Sequence, residues 1–173
     1  MQSKLATWSS EDKDRKFDRL LRMIADRSWL LEAARITLAS RGARTPGIDG
    51  IDKQALESDL QNQLEIMRAE LLDNRYMPQP ARRIYILKAN GKQRPLGIPT
   101  LKDRIVQRAM LMAMEPIWES DFYRLSYGFR PERSVHHAIR TVKIQLQDSS
   151  DAAGRWVIEV ISPVTLIPFI INY

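Results

Sequence analysis

The sequence predicts a mixed α+β fold, on three observations. Apolar residues recur at helical spacing from Phe17 to Leu71. Asn90-Gly91 then separates two runs of strand formers and is the strongest short hairpin signal in the chain. Helical spacing returns from Leu101 to Trp118 and again after Ser134.

In chain order, Ser9-Ser10-Glu11-Asp12 reads as a helix start, a capping hydroxyl followed by acids. Phe17, Leu20, Leu21 and Ile24 continue it as a stripe. A second helix begins near Asp26 or Ser28, carries Trp29, Leu30, Ala33, Ile36 and Leu38, and closes on Gly42 as a left-handed cap. Gly42 to Gly50 is a loop, rich in glycine and turn formers. Asp52 caps one long amphipathic helix with Leu56, Leu60, Leu64, Met67 and Leu71 on one face. Asp73 to Pro80 ends it.

The hairpin follows, Arg82 to Leu87 and back along Lys92 to Ile98. Pro95 breaks the donor row of the return strand, which places that strand at a sheet edge. After the helix from Leu101 to Trp118, Tyr127 to Pro131 is a loop and Ser134 caps a further helix. Gln147 to Gly154 reads as a polar linker, and Trp156-Val157-Ile158 as the opening of a buried strand.

Composition narrows the class. Of 173 residues, 44% are apolar, and 27 Lys and Arg stand against 21 Asp and Glu, a net charge of +6. That excess suits a polyanionic partner without requiring one. The absence of cysteine excludes disulfides and thiolate metal sites and fits a reducing cytoplasm. Met1 to Lys16 lacks the apolar segment of a signal peptide. The longest apolar stretch, Val160 to Tyr173, is interrupted by Pro163 and Pro168 and falls short of the roughly 20 residues a membrane span needs.

Two cations flank the hairpin turn, Lys88 and Arg94. Brought together they can grip a phosphate chain, Arg as a planar fork and Lys as a point charge. They can equally be solvated edge residues that discourage strand pairing. Gly47 and Gly50 fit either a simple interhelix turn or a loop that approaches a ligand. His136 and His137 are adjacent and cannot share one helix face, so they read as packing and surface residues, not metal ligands.

Three separated motifs carry a resemblance. Residues 82–103 read RRIYILKANGKQRPLGIPTLKD, residues 114–131 read MEPIWESDFYRLSYGFRP, and Gly47-Ile48-Asp49-Gly50 precedes both. In order and spacing these resemble group II intron-type (retron-type) reverse transcriptases and maturases, from about Trp29 to Glu159. The resemblance implies a helical N-terminal extension over residues 1–80 and the fingers of a polymerase over 81–159, with palm and thumb missing. It implies that Lys88 and Arg94 hold the triphosphate of an incoming nucleotide. It also implies that Arg82, Arg83, Lys92, Arg130 and Arg133 lie along nucleic acid, with Gly47 and Gly50 in a loop near the template. The intact family is RNA-directed DNA polymerase, uses Mg²⁺ and assists intron splicing, so RNA is the implied partner. A non-catalytic RNA-binding module is an alternative. So is a DNA-binding regulator that uses the basic helix near Arg104 and Arg108.

The resemblance stops at Glu159. The family continues with a strand that bears its first metal-binding aspartate, and later a YADD turn, which together hold the metals of the reaction. Residues 160–173 read VISPVTLIPFIINY and contain no Asp or Glu. These residues, 160–173, read as an aberrant, sticky tail, and the chain as an inactive remnant that needs no cofactor of its own. One synonymous choice of codons for Glu159 to Tyr173, with a single added G after the first, reads EGDLASYFDTVHHKL, the missing motif with both its aspartates. The expectation is a frameshift. Sequencing the DNA around the codon for Val160 checks it: one restored base opens a continuous frame toward a YADD-like turn, whereas stops in every frame refute it.

Overall fold

The computed structural model describes residues 1–147. The linker beyond Gln147, the strand expected at Trp156 and the tail lie outside the described residues. Met1–Tyr123 forms one compact unit, and a second begins at Arg124. Among the described residues there are seven α-helices and one two-stranded antiparallel sheet, so the α+β class holds.

The first unit is built around α6 (Leu101–Trp118), against which α1 (Gln2–Glu11), α2 (Leu20–Ile24) and α3 (Arg27–Ala39) pack. Ala33 and Ala34 of α3 and Ala109 of α6 are fully buried, and these small residues let the two backbones approach. Trp29 Nε1 donates to Ala109 O at 2.9 Å across the same seam. Leu30, Leu101 and Ile105 fill the centre, joined by Leu56 of α4 (Lys53–Ser58) and by Leu64 and Met67 of α5 (Leu60–Leu72). Asp26 caps α3 through Ser28 N and Trp29 N, and Asp52 caps α4 through Ala55 N. Asn74, at φ +57, turns the chain out of α5, while Arg75 N and Tyr76 N both donate to Glu70 O.

Four local expectations are corrected. Ser9 does not start a helix. It lies in the last turn of α1, buried, where Oγ donates to Ile117 O at 2.9 Å and meets Ser120 Oγ at 2.7 Å. The hydroxyl is used between helices instead of as a cap, and Phe17 lies outside any helix. The long helix after Asp52 is two helices, because Asp59 leaves helical geometry at φ −131 and ψ 27 and accepts from Asn62 and Gln63. Gly42 is not a left-handed cap. α3 ends on Ser40 in extended conformation, and Gly42 sits inside a 3-10 turn over Arg41–Arg44. His136 and His137 are both exposed on α7 (Val135–Gln147), so neither packs.

Pro116 inside α6 cannot donate to Met112 O, four residues back. Gln2 Nε2 donates to that carbonyl instead, at 3.0 Å. The helix therefore continues to Trp118 with its vacant acceptor filled from α1. No helix among the described residues is long and apolar enough to cross a membrane.

Truncating Ile105, which is completely buried, to Ala should cost about 2–5 kcal/mol of unfolding free energy. Leu87→Ala, at a position 72% exposed, should change it by no more than about 0.5 kcal/mol. Urea unfolding of both variants, followed by circular dichroism, checks the difference.

Candidate nucleic-acid interface

The hairpin pairs β1 (Arg82–Leu87) with β2 (Gln93–Ile98), from Arg82↔Ile98 to Leu87↔Gln93. Side chains alternate between faces along a strand. The register therefore puts Arg82, Ile84, Ile86, Arg94 and Leu96 on one face, and Arg83, Tyr85, Leu87, Gln93 and Pro95 on the other. Lys88 N donates to Lys92 O at 2.8 Å, which extends the ladder by one pair and adds Lys88 and Lys92 to the first face. Four of the five hairpin cations thus share a face, and Arg83 does not.

The turn differs from the two-residue mirror-image turn that Asn-Gly favours. Gly91 N donates to Lys88 O at 3.0 Å, and Lys92 N reaches Asn90 Oδ1 at 3.2 Å. Only Gly91 of the pair takes positive φ, +77. The loop is three residues ending in a left-handed glycine, a geometry that widens the tip by one residue. Pro95 lies opposite Tyr85, and among the described residues the sheet has two strands, each an edge.

The four cations Arg83, Lys88, Lys92 and Arg94 are exposed, and none makes an ion pair with another described residue. Arg82 is different. It is half-buried, and its Nε is enclosed without a hydrogen-bond partner.

The base of the hairpin is tied to α6. Thr100 caps the helix by accepting from Asp103 N at 3.1 Å, and its hydroxyl donates back to Asp103 Oδ2 at 2.7 Å. The 3%-exposed Asp103 carboxylate also accepts from Tyr76 Oη and, at 3.2 Å, from Gln79 N. One buried carboxylate thereby fixes the chain entering β1 and the chain leaving β2. Burial and the Asp103 carboxylate raise the Tyr76 phenol far above its ordinary pKa.

Arg104 joins the glycine loop to the same region. Nε donates to Pro99 O at 2.9 Å, and the two terminal nitrogens donate to Gly42 O and Thr45 O at 2.8 Å each. Burial lowers its pKa, Asp49 raises it and Arg82 lowers it. Gly47 is buried where a Cβ would stand 2.6 Å from Thr100 Cα, so close backbone approach explains that glycine. Gly50 is exposed at φ +72 with nothing within 4 Å. All three Arg104 nitrogens are thus engaged by the protein's own backbone.

In the second unit, the Tyr127–Pro131 loop leads into α7, and Ser134 Oγ accepts from His137 N at 3.3 Å. Arg130 is buried and donates to Ser126 O at 2.9 Å. Arg133 donates to Arg124 O at 2.9 Å and lies 5.4 Å from the centre of the Tyr127 ring. Both arginines shape their loop. Sequence reasoning missed Tyr76 and Asp103, whose signal was the Thr-x-x-Asp spacing of a capping box at residues 100–103.

The chain is 67% identical over 159 residues to protein YkfC of Escherichia coli, covering 92% of this chain and 42% of that protein. It is 36% identical over 157 residues to the group II intron-encoded protein LtrA of Lactococcus lactis, 87% of this chain and 24% of LtrA. Nuclear intron maturase 2 of Arabidopsis thaliana is 30% identical over 129 residues, 66% of this chain and 17% of the maturase. The chain thus spans less than half the length of these relatives. No family model matches it.

The Tyr76–Asp103 pair generates a pH prediction. A phenol with a raised folded pKa contributes stability that is complete below its unfolded pKa, about 10.0, and is lost as pH rises above it. The native chain should therefore lose stability above about pH 10 by more than Tyr76→Phe does. At pH 7 that variant should be weaker by about 1–3 kcal/mol, because the buried carboxylate loses a donor. Urea unfolding at pH 7 and pH 10.5 checks both signs.

Proposed function

We propose a function from one premise: the chain belongs to the family of group II intron-encoded proteins and intron maturases. The helices up to residue 80 are the N-terminal extension, and the hairpin with α6 belongs to the fingers of a reverse transcriptase. The polypeptide binds RNA and grips the triphosphate of a nucleotide. The observation that carries this is the register, which gathers Lys88, Lys92 and Arg94 on one face, exposed and unpaired among the described residues. A free Arg fork beside two point charges suits a triphosphate chain.

Lys88 and Arg94 are the triphosphate ligands in this reading, and Lys92, Arg82 and Arg83 run along RNA. Arg130 and Arg133 act through the loop they brace, and Gly50 lies on the open side of the template loop. The 173 residues do not polymerise by themselves. Two-metal chemistry needs a set of carboxylates, and none follows Glu159, so no step through Mg²⁺ is derived. The lack of cysteine supports a reducing, cytoplasmic setting.

The 173-residue chain should bind single-stranded RNA with an affinity that falls steeply with salt, because phosphate neutralisation releases counterions. Lys88→Ala with Arg94→Ala should weaken deoxynucleoside triphosphate binding at least about tenfold, the worth of one charged hydrogen bond. RNA affinity should change less. Fluorescence anisotropy with each ligand measures both. An equal loss for RNA reverses the assignment of the two residues, and primer extension on primed RNA with Mg²⁺ above a no-protein control refutes inactivity.

A further inference from the structure

The hairpin tip holds an electrophile against a nucleophile of its own backbone. Lys88, Ala89, Asn90, Gly91 and Lys92 are all exposed. Lys92 N donates to Asn90 Oδ1 at 3.2 Å. That bond closes a ring through Gly91, and so folds the Asn90 carboxamide carbon over the Gly91 peptide nitrogen. A donor on the carboxamide oxygen also polarises the carbonyl and makes its carbon easier to attack. Gly91 has no side chain to screen its nitrogen, and a Cβ there would meet nothing within 4 Å. Its N–H donates to Lys88 O at 3.0 Å, a bond at an exposed tip, where local opening costs least.

Electrostatics act in the same direction. Lys88, Lys92 and Arg94 share a face at the turn, and none makes an ion pair with another described residue. Nearby positive charge favours loss of the proton from the Gly91 nitrogen and stabilises the oxyanion formed when that nitrogen attacks. The other described asparagines lack this arrangement. Asn62 lies inside α5, where it donates to Asp59 Oδ2 at 3.1 Å, and the following Gln63 N is held on Asp59 O at 3.1 Å. Asn74 is followed by Arg75, whose N is held on Glu70 O at 2.8 Å.

We propose that Asn90 is a self-modification site, at which the chain, assisted by the cations around the turn, converts a neutral amide into a carboxylate. The deprotonated Gly91 nitrogen forms a bond to the Asn90 carboxamide carbon. The carbon–NH₂ bond breaks, and the leaving group takes a proton from water and departs as ammonia. The cyclic imide then takes up one water. Opening at the side-chain carbonyl leaves aspartate, and opening at the main-chain carbonyl leaves an isoaspartyl link. Water is the only co-reactant, and nothing is oxidised or reduced. Either product sets a negative charge among Lys88, Lys92 and Arg94. Its effect on triphosphate binding rests on the reading of Lys88 and Arg94 given above, whereas the conversion itself does not.

The test incubates the 173-residue chain in ¹⁸O-enriched water at neutral and at raised pH, with peptide mapping by mass spectrometry. Asn90 should convert ahead of Asn62 and Asn74, in proportion to hydroxide, with one ¹⁸O taken up and with both aspartyl and isoaspartyl peptides formed. Lys92→Gln keeps the backbone donor and should slow the conversion about fivefold, the effect of one charge a few ångströms away in water. Conversion of Asn62 or Asn74 first, an aspartyl peptide alone, or a rate unmoved by Lys92→Gln overturns the proposal. Asn90→Asp carries the acid from the start and should weaken deoxynucleoside triphosphate binding about fivefold in fluorescence anisotropy, by the same charge argument. If the unmodified chain binds no triphosphate while Asn90 still converts as described, the wider reading fails and the modification site stands.

Discussion

The buried carboxylate of Asp103 is the interaction on which the rest of the first unit depends. A two-stranded hairpin is marginal by itself in water, and this one leaves Tyr85, Ile86 and Leu87 exposed. It has no second sheet layer among the described residues to hold it. What orients it is its base, where Thr100, Tyr76 and Gln79 converge on Asp103. The same carboxylate completes the N-terminal cap of α6, the helix at the centre of the core. Hairpin direction and core packing are therefore coupled through one side chain. Replacing it would release both chain ends of the hairpin and take from the capping Thr100 hydroxyl its reciprocal acceptor.

The glycine loop is fastened to that base by two further constraints. Arg104 spans three backbone carbonyls, and Gly47 lets the loop lie against Thr100 without a Cβ between them. The loop and the hairpin base consequently meet at the N-terminal end of α6. A motif that reads as ligand-binding in sequence is thus partly structural: Gly47 serves packing, whereas Gly50 stays open to solvent.

Much of this was legible in the sequence, and the losses have physical reasons. The hairpin strands, α6 and the caps at Asp26 and Asp52 followed from period and local chemistry, which are near-neighbour properties. Ser9 was misread because its hydroxyl bonds a carbonyl 108 residues away, a partner that no local pattern announces. The break at Asp59 was hidden because the apolar stripe runs through it unchanged from Leu56 to Leu71. Asn90-Gly91 located the turn but not its type, since only Gly91 takes positive φ and the loop spans three residues. At the site, the hairpin signal already brought Lys88 and Arg94 together on either side of the turn, but burial was invisible. Sequence alone gave Arg82 and Arg83 the same weight, and only the fold separates them.

That separation matters for how a basic surface is understood. Exposed lysines and arginines attract a polyanion over a distance comparable to the Debye length and carry little positional information. A half-buried arginine carries more, because its environment has already taken away the water that would satisfy it. Arg82 is near enough to Arg104 for its charge to lower the Arg104 pKa, Arg104 is fixed on three backbone carbonyls, and Gly47 lets the loop lie on Thr100. The chain of constraint therefore runs from core helix to cap, from cap to loop, and from loop to an unsatisfied cation. The exposed cations at the hairpin tip can adjust to whatever phosphate arrives. The one at its base is half-buried with its Nε enclosed, and has less room to do so.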